Sequence, residues 1–167
     1  QAGCAFRQGL AHIQAGGALE EGWAPELYPG ETVGWVLGPV AADADAVYVF
    51  ARRADGTDAA VCAVDRLDDN RILWRAPIEG EVTALGASAV LGRLYIAGDF
   101  TSVGGTTRPY LAALEVGDGV LADWHPAPDG VAEILCVYEN TVYVSGAFTA
   151  VGGESRAFLA AVDGASG

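Results

Sequence analysis

The chain reads Phe100-Thr101-Ser102-Val103-Gly104-Gly105 and then, 48 residues later, Phe148-Thr149-Ala150-Val151-Gly152-Gly153. The match extends on both sides, because Tyr95 corresponds to Tyr143 and Arg108 to Arg156. A self-match with a period of about 50 residues is typical of repeat proteins, in which each unit buries its apolar face only against its neighbours. The sequence therefore predicts a chain of repeated structural units.

The repeat covers the whole chain, although its first copies are weaker. Three tryptophans recur at intervals of 51 and 50 residues, namely Trp23, Trp74 and Trp124. Tyr48 takes the position of Tyr95, and Arg7 stands 101 residues before Arg108. We therefore predict a single repeat region over residues 1–167, with approximate units at residues 7–25 (partial), 26–77, 78–126 and 127–167 (partial).

Each unit has the pattern of short β-strands. Residues 131–138 and 141–148 are two apolar runs separated only by Glu139-Asn140, which predicts a tight hairpin. A third run follows each Gly-Gly pair, a fourth ends at the tryptophan, and no amphipathic helix is predicted. The Gly-Gly pairs suit turns that require positive φ. Four antiparallel strands in about 48–50 residues form the blade of a β-propeller, so the predicted fold is an all-β, β-propeller-type repeat.

Two motifs resemble known propeller repeats. Tyr-hydrophobic-x-Gly, at residues 95–98 and 143–146, resembles the kelch-type blade. The fuller pattern Phe-Thr-x-Val-Gly-Gly-x-x-Arg-x-x-Leu-Ala-Ala is similar to the "delta-sixty" repeat of large secreted and surface-attached bacterial proteins, and this resemblance covers residues 7–167. It implies a scaffold. Residues 48–65 depart from the pattern, because they lack the Phe-Thr-x-Val-Gly-Gly segment and have Asp58 where the arginine should stand.

The number of units predicts an incomplete arc. The sequence begins and stops at the third strand of a unit and holds about three units, whereas propellers close with about four to eight blades. An open arc exposes blade flanks and strand edges, which favour association. We therefore expect three or more blades that are completed by the rest of a larger polypeptide or by partner chains. A self-sufficient monomer is the third alternative.

Composition limits the partners and the compartment. There are 22 acidic residues against nine arginines and no lysine, so the net charge is −13. This charge argues against nucleic acid as a partner, because phosphate binding needs clustered cations. No apolar stretch is long enough for a membrane span. The chain has no methionine and opens with Gln1, which fits a secreted protein after removal of its signal peptide or an excised fragment. We expect an extracellular or cell-surface location.

The sequence offers no catalytic constellation. His12 and His125 fall at different phases of the repeat, so we do not expect them to converge, and no motif of a known catalytic class is present. We therefore predict no enzyme activity and no catalytic residue. Acidic groups occur at Asp68-Asp69-Asn70 and at Asp118 with Asp123, but no Asp-x-Asp-x-Asp-Gly loop accompanies them. We predict no cofactor and no metal site, with Ca²⁺ kept as an alternative because the chain is acidic.

Three cysteines are present, in a pattern that fits no zinc site. Cys62 and Cys136 lie in the middle of predicted strands, so both are expected to be buried thiols. Cys4 precedes the first unit and is a candidate for a cross-link to another chain or for capping the fold.

Residues that recur at one phase of the repeat have two interpretations each. The tryptophans either fill the wedge between blades or offer stacking platforms for sugars. Arg7, Arg108 and Arg156 either line a rim that binds anionic ligands or pair between blades with a carboxylate such as Asp65, Glu115 or Asp163. The positions that we predict to be structural are Trp23, Trp74, Trp124, Tyr48, Tyr95, Tyr143, Gly104, Gly105, Gly152 and Gly153.

The sequence thus favours a secreted or surface-displayed β-propeller module that acts as a structural or interaction scaffold. Its partners would be other protein chains or the rest of a larger propeller, with a glycan or a surface protein as further possibilities. One alternative is a subunit of an extracellular filament or surface layer, assembled by packing of strands and blades between chains. A second alternative is a propeller that belongs to a polysaccharide-active enzyme. Propellers host many unrelated functions, so the fold does not decide between these.

Overall fold

The computed structural model describes residues 35–66 and 71–167, and these ranges contain strands, turns and loops without any helix. The prediction of an all-β chain is therefore confirmed for this part. Its strands, numbered along the chain, are β1 (Trp35–Ala42), β2 (Ala46–Arg53), β3 (Ala59–Asp65), β4 (Ile72–Ser88), β5 (Arg93–Val103), β6 (Thr106–Thr107), β7 (Leu111–Glu115), β8 (Ala132–Tyr138), β9 (Thr141–Gly146), β10 (Ala150–Val151), β11 (Glu154–Ser155) and β12 (Leu159–Asp163).

The strands form three antiparallel sheets of three or four strands, together with the separate pair of β10 and β11 and the short strand β6, which pairs with the end of β5. The first sheet consists of β1, β2, β3 and residues 72–77 of β4. The second sheet consists of residues 78–88 of β4 with β5 and β7, and the long strand β4 therefore runs through both sheets. The third sheet has the order β12-β9-β8. The predicted hairpin at Glu139-Asn140 is confirmed, since Tyr138 pairs with Thr141 across it.

The second and third sheets repeat each other residue for residue in one pair of strands. Tyr95 pairs with Ala113 between β5 and β7, and Tyr143 pairs with Ala161 between β9 and β12, so both partners are shifted by 48 positions. The preceding loop repeats as well. The four glycines of the two Gly-Gly pairs have φ between 58° and 79°, and Tyr110 and Phe158 have φ of 67° and 66°. The repeat seen in the sequence is therefore also a repeat of backbone conformation.

The first half of β4 shows how the sequence determines the burial of a strand. Trp74, Ala76 and Ile78 are buried, whereas the residues between them, Leu73, Arg75 and Pro77, are exposed. This alternation is expected of a strand with one face on a core, because successive side chains point to opposite faces of a sheet. The buried face of β4 thus packs into the space between the first and second sheets.

The second sheet is buried on both faces. On one side Leu94 and Ile96 pack against Tyr48 and other residues of the first sheet. On the other side Tyr95 and its neighbours pack against Val142 and other residues of the third sheet. Each sheet therefore buries its apolar side chains against the next one, which is the packing expected of repeat proteins.

Two observations concern the remaining surfaces. The outer face of the first sheet has a small cluster of fully buried residues, Val49, Ala60 and Cys62, packed with Leu37. The prediction that Cys62 is buried is confirmed.

In the described ranges there is no long apolar helix of the kind that crosses a membrane.

Candidate interaction site

The third sheet exposes apolar side chains on the side that faces away from the second sheet. We call this surface the open face, and it comprises Ile134, Tyr138, Tyr143, Phe158 and Leu159. Four of these side chains are 64–66% exposed, and Tyr143 is 43% exposed. Large exposed apolar patches are uncommon on proteins that act as isolated monomers, and they often mark interaction surfaces. The open face is therefore the strongest candidate site in the described part of the chain.

The equivalent surface of the second sheet is covered along β5 and β7. Tyr95 and Leu111 occupy the positions of Tyr143 and Leu159, and both have no exposed surface because the third sheet covers them. Tyr143 and Leu159 thus occupy positions that the preceding unit buries against the following sheet. Nothing among the described residues covers them in the third sheet.

Strand β8 departs from this equivalence. Its Ile134 and Cys136 lie where the second sheet has Ala84 and Gly86, as the pairing of β4 with β5 and of β8 with β9 shows. A side chain at Gly86 would be 2.4 Å from Leu135 Cδ2, so the second sheet needs a small residue there for the third sheet to approach. The third sheet therefore carries larger side chains on β8 than the second sheet carries at the equivalent positions of β4. The two sheets correspond closely only in β9, β12 and the loop that connects them.

Cys136 lies in the open face and is exposed. The expectation that it is buried is wrong, because burial at its position depends on whether a further sheet covers this face. Buried and exposed residues alternate along β9 and β12 for the same reason, because only the side that faces the second sheet is covered.

Each described tryptophan of the repeat lies between two sheets. Trp124 is fully buried, packs edge-on against Tyr95 with ring centroids 4.9 Å apart, and donates from Nε1 to the carbonyl of Asp163 at 2.8 Å. The ring centroids of Trp74 and Tyr48 are 5.7 Å apart, and Nε1 of Trp74 donates to the carbonyl of Val116 at 2.7 Å. Both indoles therefore connect the end of one unit to the third strand of the next unit. This geometry supports the wedge interpretation and leaves no free ring face at Trp124.

Neither Arg108 nor Arg156 pairs with Glu115 or Asp163, and Arg7 lies outside the described residues. Arg108 donates from Nη1 to the carbonyl of Trp124 at 2.5 Å. Arg156, at the equivalent position, is exposed, and its side chain donates to the carbonyl of Ser155 at 3.3 Å. The carboxylate of Glu115 instead lies 3.7 Å from Arg93, and that of Asp163 accepts from backbone amides of the following turn.

Among the described residues we number residues 26–77 as the first unit, 78–126 as the second and 127–167 as the third. The first unit makes the same connection with the donor and the acceptor on opposite segments. Asp58 occupies the arginine position of the repeat, and it forms an ion pair with Arg75, the residue that follows Trp74. In the second unit the arginine is on the loop and the acceptor is the carbonyl of Trp124. A charged contact therefore ties the loop to the tryptophan segment in both units. The departure at Asp58 is explained by this exchange of the donor and the acceptor.

A groove of about 550 Å³ lies where the first sheet meets the second. Its charged lining residues are Arg75, Arg108, Asp118 and Asp123. Asp118 accepts a hydrogen bond from the amide of Val120, while both arginines already contact the groups described above. Three of these four charged groups, on Arg75, Arg108 and Asp118, are thus engaged in holding turns and tryptophan segments, and the groove offers less to a ligand than the open face does.

The remaining candidates do not come together. His125 is exposed in the segment after Trp124, and the described ranges contain no cluster of three histidine, cysteine or acidic side chains with the spacing of a metal site. Several predicted positions lie outside the described residues, namely Cys4, Arg7, His12, Trp23, Asp68, Asp69 and Asn70.

Asp129 organises the loop that leads into β10. The Thr149 hydroxyl donates to its carboxylate at 2.6 Å, and the amides of Thr149 and Ala150 donate at 2.7 and 2.9 Å. The hydroxyl and the two amides stabilise the ionised form and lower the pKa of this carboxyl from 3.8 to about 2. Because the pKa is depressed in the folded state, the contribution of Asp129 to stability is present above the unfolded pKa and is lost as the pH falls through the folded pKa.

We therefore expect Asp129→Asn to lower the Tm at neutral pH, since the amide replaces an ionic acceptor of three hydrogen bonds with a neutral one. The difference in Tm between Asp129→Asn and the unchanged chain should decrease between about pH 4 and pH 2, because Asp129 itself becomes protonated in the unchanged chain. Thermal unfolding of both proteins over this range measures it. Asp123→Asn, at an exposed carboxylate, is the control. A Tm difference of the same size at both ends of the range would contradict the role of Asp129.

Comparisons with models of protein families, with curated proteins and with solved structures each found no match to this chain.

Proposed function

We propose that this chain is an interaction scaffold of the β-propeller type, and that its open face packs against a further β-sheet. The repeat of strands, turns and tryptophan contacts supports a chain of blades, and the resemblance to the delta-sixty repeat supports a surface-displayed or secreted protein. In this proposal the protein acts by binding other polypeptides and has no catalytic role.

The burial of equivalent residues carries the proposal. Leu111 is fully buried between two sheets, whereas Leu159, at the same position one unit later, is 65% exposed. Burial of apolar surface contributes about 25 cal/mol per Å², so an open face of this kind gains free energy when a partner sheet covers it. The chain also presents β12 as an edge strand of the described sheet, and edge strands favour pairing with other chains.

Assembly from copies of the same chain is the second candidate function. It is favoured by the same open face, which would join chains into a filament or a surface layer. A contact between two different surfaces of the same chain generates a ring or an open filament, depending on whether its rotation closes.

The binding of a hydrophobic dye tests whether the open face is an apolar binding surface. At low protein concentration we expect the chain to enhance the fluorescence of the dye, and we expect Leu159→Asp to remove most of this signal. Val36→Asp is the control, because Val36 is an exposed apolar residue of the first sheet. If the unchanged chain binds no dye, or if both variants lose the signal equally, the open face is not the surface that we propose.

A further inference from the structure

The second unit contains a complete example of how a tryptophan segment is held. After β7 the chain turns at Gly119, and residues 120–122 run antiparallel beside β7. The amide of Ala122 donates to the carbonyl of Ala113 at 2.9 Å, and the amide of Glu115 donates to the carbonyl of Val120 at 2.8 Å. The segment of residues 120–124 thus adds a short strand to the edge of the second sheet.

Two side chains then fix the end of this segment. Tyr95 provides the aromatic surface on which the Trp124 ring packs, and Arg108 donates to the carbonyl of Trp124. A hydrogen bond from a charged donor is among the stronger ones in proteins. The second unit therefore holds a Leu-x-x-Trp sequence, residues 121–124, with a strand edge, an aromatic ring and a guanidinium group.

The third unit presents the same three groups, and they are accessible. Strand β12 is at the edge of its sheet, Tyr143 is partly exposed, and the side chain of Arg156 is exposed. The loop that carries the arginine is already formed. The amide of Arg156 donates to Thr149 at 2.9 Å, as the amide of Arg108 donates to Thr101 at 3.0 Å.

We propose that β12, Tyr143 and Arg156 form a cradle for an extended segment with the Leu-x-x-Trp chemistry of residues 121–124. The segment pairs with β12, its tryptophan packs on Tyr143, and Arg156 donates to its carbonyl. Addition of a strand to an exposed sheet edge is a common mode of peptide recognition. This inference rests on the proposed function, because it names the partner chemistry at one edge of the open face.

The exchanged charges in the first unit support the assignment of Arg156. Asp58 and Arg75 replace the arginine contact there, so the loop position serves the tryptophan segment even when its charge is reversed. A rim that binds an anionic ligand would need a cation at this position in every unit. The guanidinium of Arg156 is therefore assigned to a polypeptide carbonyl.

A labelled synthetic peptide with the sequence of residues 118–127, Asp-Gly-Val-Leu-Ala-Asp-Trp-His-Pro-Ala, tests the cradle by fluorescence anisotropy. We expect saturable binding to the full chain. Arg156→Ala should weaken binding about five- to tenfold, because it removes one charged hydrogen bond. The peptide with alanine in place of its tryptophan should bind at least about 30-fold more weakly, since a buried tryptophan is a typical binding hot spot.

Arg66→Ala is the matched control, because Arg66 is an exposed arginine that contacts the first sheet, and it should leave binding unchanged. Both proteins are expected to fold, since Arg156 and Arg66 are exposed. Absence of binding, or binding that is insensitive to both Arg156→Ala and the loss of the peptide tryptophan, would overturn the cradle. If dye binding to the open face persists in that case, the proposed function stands and only the cradle fails.

Discussion

Replacing Trp124 with alanine is expected to lower the free energy of unfolding by about 3–5 kcal/mol, which is the usual cost of removing a large buried aromatic side chain. Trp124 is fully buried between the second and third sheets, and its neighbours include Tyr95 and Phe148. The substitution also removes the donor to the carbonyl of Asp163, so the contact between the two units is weakened along with the packing.

Chemical denaturation of the variant measures this effect. Tyr138→Ala is the matched control, because Tyr138 is an aromatic residue of the open face that is 64% exposed. We expect the control to change the free energy of unfolding by no more than about 0.5 kcal/mol, as surface substitutions usually do. If Trp124→Ala is as mild as the control, the tryptophan does not hold the sheets together, and a ligand-stacking role would regain support.

The second large effect is expected at Gly98. A Cβ at this position would be 2.1 Å from the carbonyl oxygen of Glu81 and 2.8 Å from the Cα of Val82, both on the neighbouring strand β4. Gly146 has the same surroundings one unit later, with Val131 and Ala132 in place of those residues. Because the obstructing atoms belong to the backbone, β4 and β5 must separate to admit a methyl group. We expect Gly98→Ala to cost about 3 kcal/mol, the upper end of the usual range for overpacking.

Gly117→Ala is the control for this substitution, since a Cβ at Gly117 would meet no atom within 4 Å. The free energies of unfolding of the two alanine variants, measured from denaturation curves, should differ by most of the expected cost of about 3 kcal/mol. Equal stability of Gly98→Ala and Gly117→Ala would mean that the glycine of the Tyr-hydrophobic-x-Gly motif does not mark a close approach of strands.

Several strands and the hairpin at Glu139-Asn140 could be predicted from the sequence because the repeat provides two copies of the same pattern. The run of residues 141–148 and the Gly-Gly turns were sufficient to place β9 and the loop that follows it. The fourth strand that the sequence predicts before Trp124 is reduced to a single bridge between Leu114 and Leu121. The turn before it needs glycine at residue 119, because a Cβ there would lie 2.5 Å from the ring of Trp74.

The candidate site was not predictable in the same way, because exposure depends on which neighbour covers a face. Cys136 and Cys62 both occupy the middle of an apolar strand, yet only Cys62 is buried. Likewise, the position of Arg108 in the repeat marked it as important, but no pattern in the sequence shows that the group opposite is the carbonyl of Trp124. The ion pair of Asp58 with Arg75 explains why the first unit has an acidic residue at the arginine position, and it is visible only when the loop and the tryptophan segment are placed side by side.

The most direct test of the open face as a packing surface is the mass of the chain in solution, measured by light scattering over a range of concentrations. A single chain has a mass of 17.1 kDa. We predict that the average mass of the unchanged chain rises above this value with concentration, because apolar sheet surfaces associate when no partner covers them. Leu159→Asp should remain at the mass of one chain, whereas Val36→Asp should associate like the unchanged protein. Identical single-chain masses for all three proteins over the whole range would contradict the account.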